Sequence, residues 1–432
     1  MSPSPSPHEN AKKAKTEDQA VTNFREYLRI KTVHPEPDYD GALLFLQRMA
    51  KELGLPYEIV EVHPGKDVLI MTWEGRNPAL KSLILNSHTD VVPVYEDLWK
   101  CDAFEAVKYE NGDIYARGTQ DMKSVGIQYI EAVRRLKAAG VKPLRTIHLT
   151  FMPDEEVGGF LGMVKFVDHP SFLRLNMGFG LDEGLANPTN KFTVYNGERA
   201  QWWLEVKCEG NPGHGSRFIE NTAAEKLQKV INSFLEFRGE EKAKMVGCAT
   251  LGDVTSTNLT ILKGGVACNV VPTEFNATFD IRVSPGTDVK ELEAKIAKWM
   301  SEAGEGVTYH FVQKNVVRIT EIGDKNVWWK AFEGACKEMD MDIEVQVFPA
   351  ATDSRFLRAA GYQCLGFSPM NNTPILLHDN NEFLNEEVFL AGIKIYEGII
   401  EALGNVPAND EDQNGARGTN MMMSTDAYVP FS

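Results

Sequence analysis

The sequence has no apolar run of about 18 residues, the length that a membrane-spanning helix needs. Its first residues, MSPSPSPHEN, also lack the apolar stretch of a signal peptide. The six cysteines among 432 residues never occur as C-x-x-C, which argues against a cysteine zinc motif and for reduced thiols. These absences predict a cytoplasmic protein that does not interact with membranes.

Positive charge is also scarce. The net charge of −16 disfavours binding to nucleic acids or to anionic lipid surfaces. The sequence contains no phosphate-binding P-loop, no G-x-S-x-G and no G-x-G-x-x-G after a strand, so those chemistries have no support. Its 43% apolar and 25% charged residues are typical of a globular protein, and the length suggests two domains or one with an insertion.

The first part of the chain alternates between strand and helix patterns. Apolar strands are predicted at 81–86 and 145–152, with a weaker strand at 176–184. Between the first two, residues 121–140 have apolar positions near helical spacing and end on a glycine. This alternation predicts an α/β domain with a mainly parallel sheet.

From about residue 195 the pattern changes to β-α-β-β-α-β, the order of a ferredoxin-like unit. Helices are predicted at 222–237 and 287–304, the second capped by Thr287 or Asp288. Strand and helix patterns then resume the first domain, and both chain ends are polar enough to predict disorder. The predicted division is a tail at 1–17, a first domain at 18–194 and 318–405, an inserted domain at 195–317, and a tail at 406–432.

Acidic residues and histidines follow several predicted strands. Because the carboxyl ends of strands in an open α/β sheet share one edge, these side chains should converge there. Imidazoles and carboxylates together suit zinc, cobalt or manganese, and their number suits two ions about 3.5–4 Å apart. The residues are His88 and Asp90 in SHTD, Asp121 in GTQD, Glu155 and Glu156 in PDEE, Asp182 and Glu183 in DEG, and His378 in LLHD.

Each of these motifs alone has an ordinary structural explanation. A histidine after a strand usually has a structural role, and PDEE is most simply a solvated loop. Asp121 precedes a predicted helix and would serve as its N-cap. Asp182 and Glu183 could be turn residues before Gly184. Their joint placement at strand ends nevertheless favours a metal site.

The motifs SHTDVVP, ARGTQDMK, MPDEEVGG, LDEG, GHGS and LLHDNNE together resemble the two-zinc amidohydrolase and exopeptidase family. This family includes carboxypeptidase G, acetylornithine deacetylase and aminoacylases, and the aminoacylase branch is the most similar. The resemblance covers roughly residues 18–405. It implies a zinc exopeptidase-like catalytic domain, with the inserted ferredoxin-like domain serving as a dimerisation or lid domain.

The resemblance also implies a role for each acidic or histidine motif. Asp121 would bridge two zinc ions and precede a cis peptide bond, Asp90 would orient His88, and Glu155 would be the general base. Glu183 rather than Asp182 is the ligand that the aminoacylase branch implies. The implied zinc ligands are His88, Asp121, Glu156, Glu183 and His378.

Further implied roles concern the substrate. His214 in GHGS resembles a histidine that enters the partner subunit's active site and stabilises the oxyanion, although alone it is simply a loop histidine. Asn269 and Arg282 resemble residues near the substrate, although they could equally be a turn amide and an exposed strand-end charge. Arg355 resembles the anchor for the α-carboxylate, with Thr352 beside it.

The implied reaction is hydrolysis of N-acyl L-amino acids by a homodimer. A dipeptidase or carboxypeptidase of the same family is the nearest alternative, because these enzymes share the metal site and differ in pocket shape. A catalytically inactive family member that acts as a binding protein is a third possibility. It is disfavoured because every implied ligand and the base are present in the sequence.

Overall fold

The computed structural model describes residues 17–247, 250–315 and 318–413. Most of the two predicted tails therefore lies outside the described residues. Among the helices described, none combines the length and apolar character needed to span a membrane.

The structure contains helices in both the first and the inserted part of the chain. In chain order, those of the described residues are Gln19–Arg29 (α1), Tyr39–Leu53 (α2), Lys123–Ala138 (α3), Met163–Phe166 (α4), Pro170–Arg174 (α5), Ala223–Ala243 (α6), Val289–Ala303 (α7), Val327–Glu338 (α8), Ser354–Ala359 (α9) and Glu386–Gly404 (α10).

The strands form a larger sheet of eight strands, a smaller sheet of four strands, and two short sheets of three and two strands. In chain order, those of the described residues are Tyr57–His63 (β1), Lys66–Trp73 (β2), Ser82–His88 (β3), Val107–Lys108 (β4), Asp113–Tyr115 (β5), Ile147–Met152 (β6), Met177–Asp182 (β7), Phe192–Glu198 (β8), Ala200–Glu209 (β9), Gly213–His214 (β10), Ser256–Gly264 (β11), Val270–Val271 (β12), Glu274–Val283 (β13), Val307–Lys314 (β14), Ile343–Phe348 (β15), Gln363–Phe367 (β16) and Phe383–Asn385 (β17).

The larger sheet has eight strands in the order β1-β2-β6-β3-β7-β16-β8-β15. The pairs β6-β3, β3-β7, β7-β16 and β8-β15 are parallel. The pairs β1-β2, β2-β6 and β16-β8 are antiparallel. The predicted α/β fold with a mainly parallel sheet is thus confirmed, with antiparallel pairings at one side and near the other edge.

Both faces of this sheet are buried. In β3, Leu83 and Leu85 belong to a core that includes α1, α3, α8 and α10, whereas Ile84 between them belongs to a second core with α4, α5 and α9. Alternate residues of a strand point to opposite faces, so each face has its own helical layer. This explains why the strand has a continuous apolar run rather than an alternating pattern.

The smaller sheet has the order β11-β13-β9-β14, and all its pairs are antiparallel. Its chain order, β9-α6-β11-β13-α7-β14, is the predicted β-α-β-β-α-β order. Alternate residues of β9, including Trp202 and Leu204, are buried in a separate core with α6 and α7. Strand β8 extends past position 195, where the insertion is predicted to begin, yet it lies in the larger sheet.

Residues 406–412 pack against the first domain, although the sequence predicts a disordered tail from 406. Val406 is buried, and the carboxylate of Asp412 accepts hydrogen bonds of 2.7 and 2.8 Å from the buried guanidinium of Arg145. Glu411 accepts hydrogen bonds from Gln363 and Trp328. The polar composition of this segment is misleading because its carboxylates have buried partners elsewhere in the chain.

Candidate metal centre

His88 is the last residue of β3 and is 1% exposed. Its Nδ1 lies 2.9 Å from the backbone oxygen of Asp90, an atom that can only accept a hydrogen bond. The neutral imidazole therefore carries its proton on Nδ1 and leaves Nε2 free to bind a metal. Burial opposes the charged imidazolium, but Glu183 and Asp121 outweigh it and raise the pKa of His88 well above its usual value.

Asp121 lies between two imidazoles. Its Oδ1 is 2.8 Å from Nε2 of His88, and its Oδ2 is 3.1 Å from Nε2 of His378. The peptide bond after Asp121 is cis, as the family resemblance implies. Helix α3 begins at Lys123 and its N-cap position is Met122, so the interpretation of Asp121 as a helix cap is wrong.

The adjacent glutamates of PDEE follow a sharp change of direction at the end of β6. Asp154 has φ of 66°, in the left-handed region, and a single 3₁₀ turn then carries Glu155 and Glu156. The backbone N–H groups of the two glutamates donate to the carboxylate of Asp90 at 3.2 and 3.1 Å. These two hydrogen bonds hold the turn against the end of β3.

The two glutamate side chains have different neighbours. Oε2 of Glu156 is 2.9 Å from Nε2 of His378. Oε1 of Glu155 is 3.4 Å from a guanidinium nitrogen of Arg355. Like charges on neighbouring residues are tolerated here because each carboxylate faces a different positive or ligating group.

Asp182 and Glu183 are distinguished by their hydrogen bonds. Asp182 accepts from the amide of Asn86 at 3.1 Å and from the backbone and hydroxyl of Ser354 at 3.0 and 2.8 Å. Glu183 instead points to the imidazole of His88, with Oε2 3.5 Å from Nε2. The geometry therefore favours Glu183 over Asp182 as a candidate ligand.

Three groups of side chains among the described residues could each hold a metal ion, with ligand atoms within 4.8 Å of one another. Two of them share His88: one comprises His88, Asp121 and Glu156, and the other comprises His88, Glu155 and Glu183. The third comprises His34, Asp90 and Asp154. Oε1 of Glu156 is buried and has no hydrogen-bond partner among the described residues. This orphaned oxygen lies among two imidazoles and several carboxylates, and together these atoms form a donor set that suits divalent cations.

The electrostatics of the cluster support the same conclusion. Burial raises the pKa of Glu155 and of Glu183 well above the usual value, and raises that of Glu156 to about 7. Neighbouring carboxylates add to each shift, including Asp121 in the case of Glu156. So many buried carboxylates repel one another unless cations compensate them.

Asp90 contacts His88 through its backbone oxygen, while its carboxylate Oδ1 is 3.8 Å from Nδ1 of His88. The carboxylate accepts from the two glutamate N–H groups and lies 2.8 Å from Nε2 of His34. His34 was not predicted from the sequence, because it precedes Pro35 in a polar loop that has no signal of its own. Asp90 thus contacts both the strand end and the PDEE turn.

Arg355 and Thr352 lie beside this cluster. The guanidinium of Arg355 donates to the backbone oxygens of Thr352 at 2.7 Å and Gly158 at 2.9 Å, in addition to Glu155. Thr352 is buried, and its hydroxyl donates to Glu198 at 2.6 Å. The structure therefore brings Arg355 to the metal-binding cluster and directs the hydroxyl of Thr352 towards Glu198.

The candidate residues of the inserted part lie in other groups. His214 and Asn269 are exposed neighbours, because the N–H of Gly215 donates to the backbone oxygen of Asn269 at 2.8 Å. The Nδ1 of His214 is 2.8 Å from the hydroxyl of Ser216. Arg282 binds both oxygens of Asp280, at 2.7 and 3.0 Å. None of these three candidates belongs to any of the three groups of possible metal ligands found among the described residues.

Two buried charged residues behind the cluster were not predicted from the sequence. Arg117 and Glu382 form an ion pair of 2.8 Å, with side chains 3% and 0% exposed. Both occur inside quoted motifs, ARGTQD and LLHDNNE. Arg117 and Glu382 could have been noticed from the sequence, because they lie close to Asp121 and His378 along the chain.

Comparison with known proteins covers most of the chain. Residues 84–402 match the model of peptidase family M20/M25/M40, a range that contains the five candidate ligands. The chain is 56% identical over 399 residues to aminoacylase-1 of Mus musculus, covering 92% of this chain and 98% of that protein. It is 57% identical over 396 residues to aminoacylase-1A of Rattus norvegicus, covering 91% and 97%.

A solved structure of a tripeptidase from Staphylococcus aureus has the same fold, with a TM-score of 0.68. That likeness covers 90% of this chain and 99% of the tripeptidase chain, at 17% sequence identity. At such identity the similarity concerns the fold alone.

Proposed function

The chain belongs to peptidase family M20/M25/M40, and on that premise we propose that it hydrolyses N-acyl L-amino acids to a carboxylate and a free amino acid. The similarity to two aminoacylases over more than nine-tenths of the chain supports this substrate class. The observation that carries the proposal is the separation of Glu155 and Glu156, because it supplies a carboxylate beside the ligands that can act as a base.

We propose that two zinc ions occupy the centre. One would be held by His88, Asp121 and Glu183, and the other by Asp121, Glu156 and His378. Ions bound there would polarise the amide carbonyl and increase the acidity of a water molecule. The contacts of Asp121 with both imidazoles support its assignment as the shared ligand.

Glu155 is assigned as the general base. It takes a proton from the attacking water and delivers that proton to the amide nitrogen as the carbon–nitrogen bond breaks. Its backbone is fixed by Asp90 and one of its oxygens is near Arg355, which restricts the orientations of the carboxylate.

Arg355 is assigned to bind the α-carboxylate of the substrate. A guanidinium has five N–H donors. Three of them are engaged with Thr352, Gly158 and Glu155 in the described part of the chain. Two donors remain for a carboxylate, which Arg can bind through parallel hydrogen bonds. Thr352 supplies the backbone oxygen that Arg355 contacts, and it would thereby help to hold Arg355 in position.

We propose that the protein acts as a homodimer through the inserted domain. Strand β11 lies at an edge of the smaller sheet, and its Leu259 and Leu262 are 37% and 57% exposed. An exposed apolar strand edge favours association with another chain. A second copy would allow His214 to stabilise the oxyanion in its partner's site, with Asn269 and Arg282 contributing to substrate binding from the same domain.

A reducing compartment such as the cytoplasm is proposed as the location. Each of the five cysteines for which the structure describes a side chain has a free thiol. Free thiols are the usual state of cysteine where glutathione and thioredoxin maintain reduction.

A kinetic comparison tests the substrate class. The purified chain, loaded with zinc, is assayed with N-acetyl-L-methionine and with unblocked dipeptides under the same conditions. The proposal expects a higher kcat/KM for the N-acetyl amino acid. A higher value for the dipeptides would favour the dipeptidase alternative, and absence of turnover with either would favour a binding protein.

A further inference from the structure

Glu382 lies behind the metal-binding cluster and accepts hydrogen bonds from most of the loop that carries Asp121. Its Oε2 accepts from the N–H of Gly118 at 3.1 Å. Its Oε1 accepts from the N–H of Gln120 at 2.6 Å, the N–H of Asp121 at 3.3 Å and the hydroxyl of Thr119 at 3.2 Å. One buried carboxylate thus holds three backbone N–H groups and one hydroxyl of four successive residues, ending at the candidate bridging ligand.

Arg117 connects the same carboxylate to the loop that carries His378. Its Nη1 donates to Glu382 at 2.8 Å and to the backbone oxygen of Asp379 at 3.1 Å. Its Nη2 donates to the backbone oxygen of His378 at 3.4 Å. The guanidinium also lies 5.3 Å from the centre of the Trp99 ring, within the range of a cation–π contact.

The need for this support differs among the candidate ligands. His88 ends a central strand and Glu183 directly follows another, so the larger sheet fixes their backbones. His378 lies in an irregular loop with φ of 61°, and its side chain is 48% exposed. Asp121 precedes α3 rather than lying inside it. These two ligands depend on side-chain contacts for their positions.

We infer that Arg117 and Glu382 are positioning residues that set the spacing between Asp121 and His378 and thereby the affinity of one of the two metal ions. This inference rests on the proposed metal centre and deepens it. Metal ligands must be held to within a few tenths of an ångström, and side chains behind the ligands usually provide that precision. The ion pair joins segments that are more than 250 residues apart in sequence, as the hydrogen bond from Arg117 to Glu382 illustrates.

The inference predicts an unequal effect on the two ions. The ion that relies on both Asp121 and His378 should bind more weakly when the pair is altered. The ion held by His88, Asp121 and Glu183 should retain most of its affinity, because the larger sheet fixes the backbones of His88 and Glu183. A purely structural ion pair would instead lower the stability of the fold and leave both affinities of the folded protein unchanged.

The test measures zinc binding by the full-length protein in competition with a chromophoric chelator, without substrate. Glu382→Gln keeps the size of the side chain but turns one acceptor oxygen into an NH₂ group facing N–H donors. Arg117→Lys keeps the charge but loses the planar set of donors. Each variant should bind the second zinc about 10–100-fold more weakly, the range typical for partners of metal ligands, with the first zinc little changed. Excess zinc should restore activity.

Asp412→Asn is the matched control. Asp412 is also paired with a buried arginine, Arg145, at 2.7 Å. It accepts from the N–H of Lys81, just before the first residue of β3, whereas His88 is the last residue. Seven strand residues span about 23 Å, so this pair is far from the metal centre. The control should lower thermal stability without changing either zinc affinity.

The inference is overturned if both variants bind two zinc ions as the wild type does, or if both ions weaken equally in folded protein. If circular dichroism shows that Glu382→Gln does not fold, the zinc affinities of Arg117→Lys test the inference by the same criteria. A wild-type protein that binds fewer than two zinc ions would contradict the proposed metal centre itself, and the positioning role with it.

Discussion

Replacing Glu155 and Glu156 separately should produce two different losses, although the residues are adjacent. Glu155→Gln keeps the side chain's size and one carbonyl oxygen but removes the base. A general base contributes about 10²–10⁴-fold to the rate, or about 3–5 kcal/mol of activation free energy. The contact of Glu155 with Arg355 is 3.4 Å long, so its loss should leave the ligands in place.

Glu156→Ala should instead weaken metal binding. This substitution removes the carboxylate that lies 2.9 Å from Nε2 of His378 and belongs to the group with His88 and Asp121. Zinc in a protein site of four ligands is bound by about 10–16 kcal/mol, so one ligand contributes on the order of 3 kcal/mol. The corresponding loss of zinc affinity is about a hundredfold.

The two effects are separated by measuring metal content and turnover on the same preparations. Zinc per chain is determined by elemental analysis after dialysis, and kcat is measured with N-acetyl-L-methionine. Glu155→Gln should retain the wild-type zinc content and lose nearly all turnover, whereas Glu156→Ala should lose zinc. The reasoning is refuted if both variants lose zinc equally, or if Glu155→Gln remains active.

Three further predictions concern other parts of the structure. Asp182→Asn should keep the zinc but lower the free energy of unfolding by about 1–3 kcal/mol, because it disturbs three buried hydrogen bonds. Glu183→Gln should instead lose zinc. Calorimetry measures the first effect and metal analysis the second. Leu262→Glu at the exposed edge of β11 should give a monomer in sedimentation experiments, and this monomer should have low activity. An active dimer would contradict the proposed interface. Burial alone would raise the pKa of Asp412, but Arg145 and backbone N–H groups lower that pKa below its usual value. The ionised carboxylate therefore stabilises the fold above the unfolded-state pKa. This stabilisation is lost as the pH falls through the folded-state pKa. Acid titrations of stability should therefore be less steep for Asp412→Asn, and identical profiles would exclude this contribution.

Much of the fold could be predicted from the sequence because local patterns agree with the final packing. The strand predicted at 81–86 is observed as Ser82–His88, and the helix predicted at 121–140 as Lys123–Ala138. Of the two N-caps considered for α7, Asp288 is the one whose side chain accepts from the first backbone N–H groups. A strand that is buried on both faces and a helix that begins with a capping residue both have recognisable sequence patterns.

Details that depend on the path of loops could not be predicted. The sequence gives no indication that the backbone oxygen of Asp90, rather than its carboxylate, faces His88. The ion pair between Arg117 and Glu382 joins distant segments, so no local pattern reveals it. The roles of His214, Asn269 and Arg282 depend on a second copy of the chain and stay predictions.

The proposed reaction requires two zinc ions, held together by the carboxylates and imidazoles of one cluster. Its most direct test is a titration of metal-free protein with zinc, following hydrolysis of N-acetyl-L-methionine at each step. Activity should reach its maximum at two zinc ions per chain, as the proposed reaction requires. Full activity without added metal, or no activity at two zinc ions per chain, would contradict it.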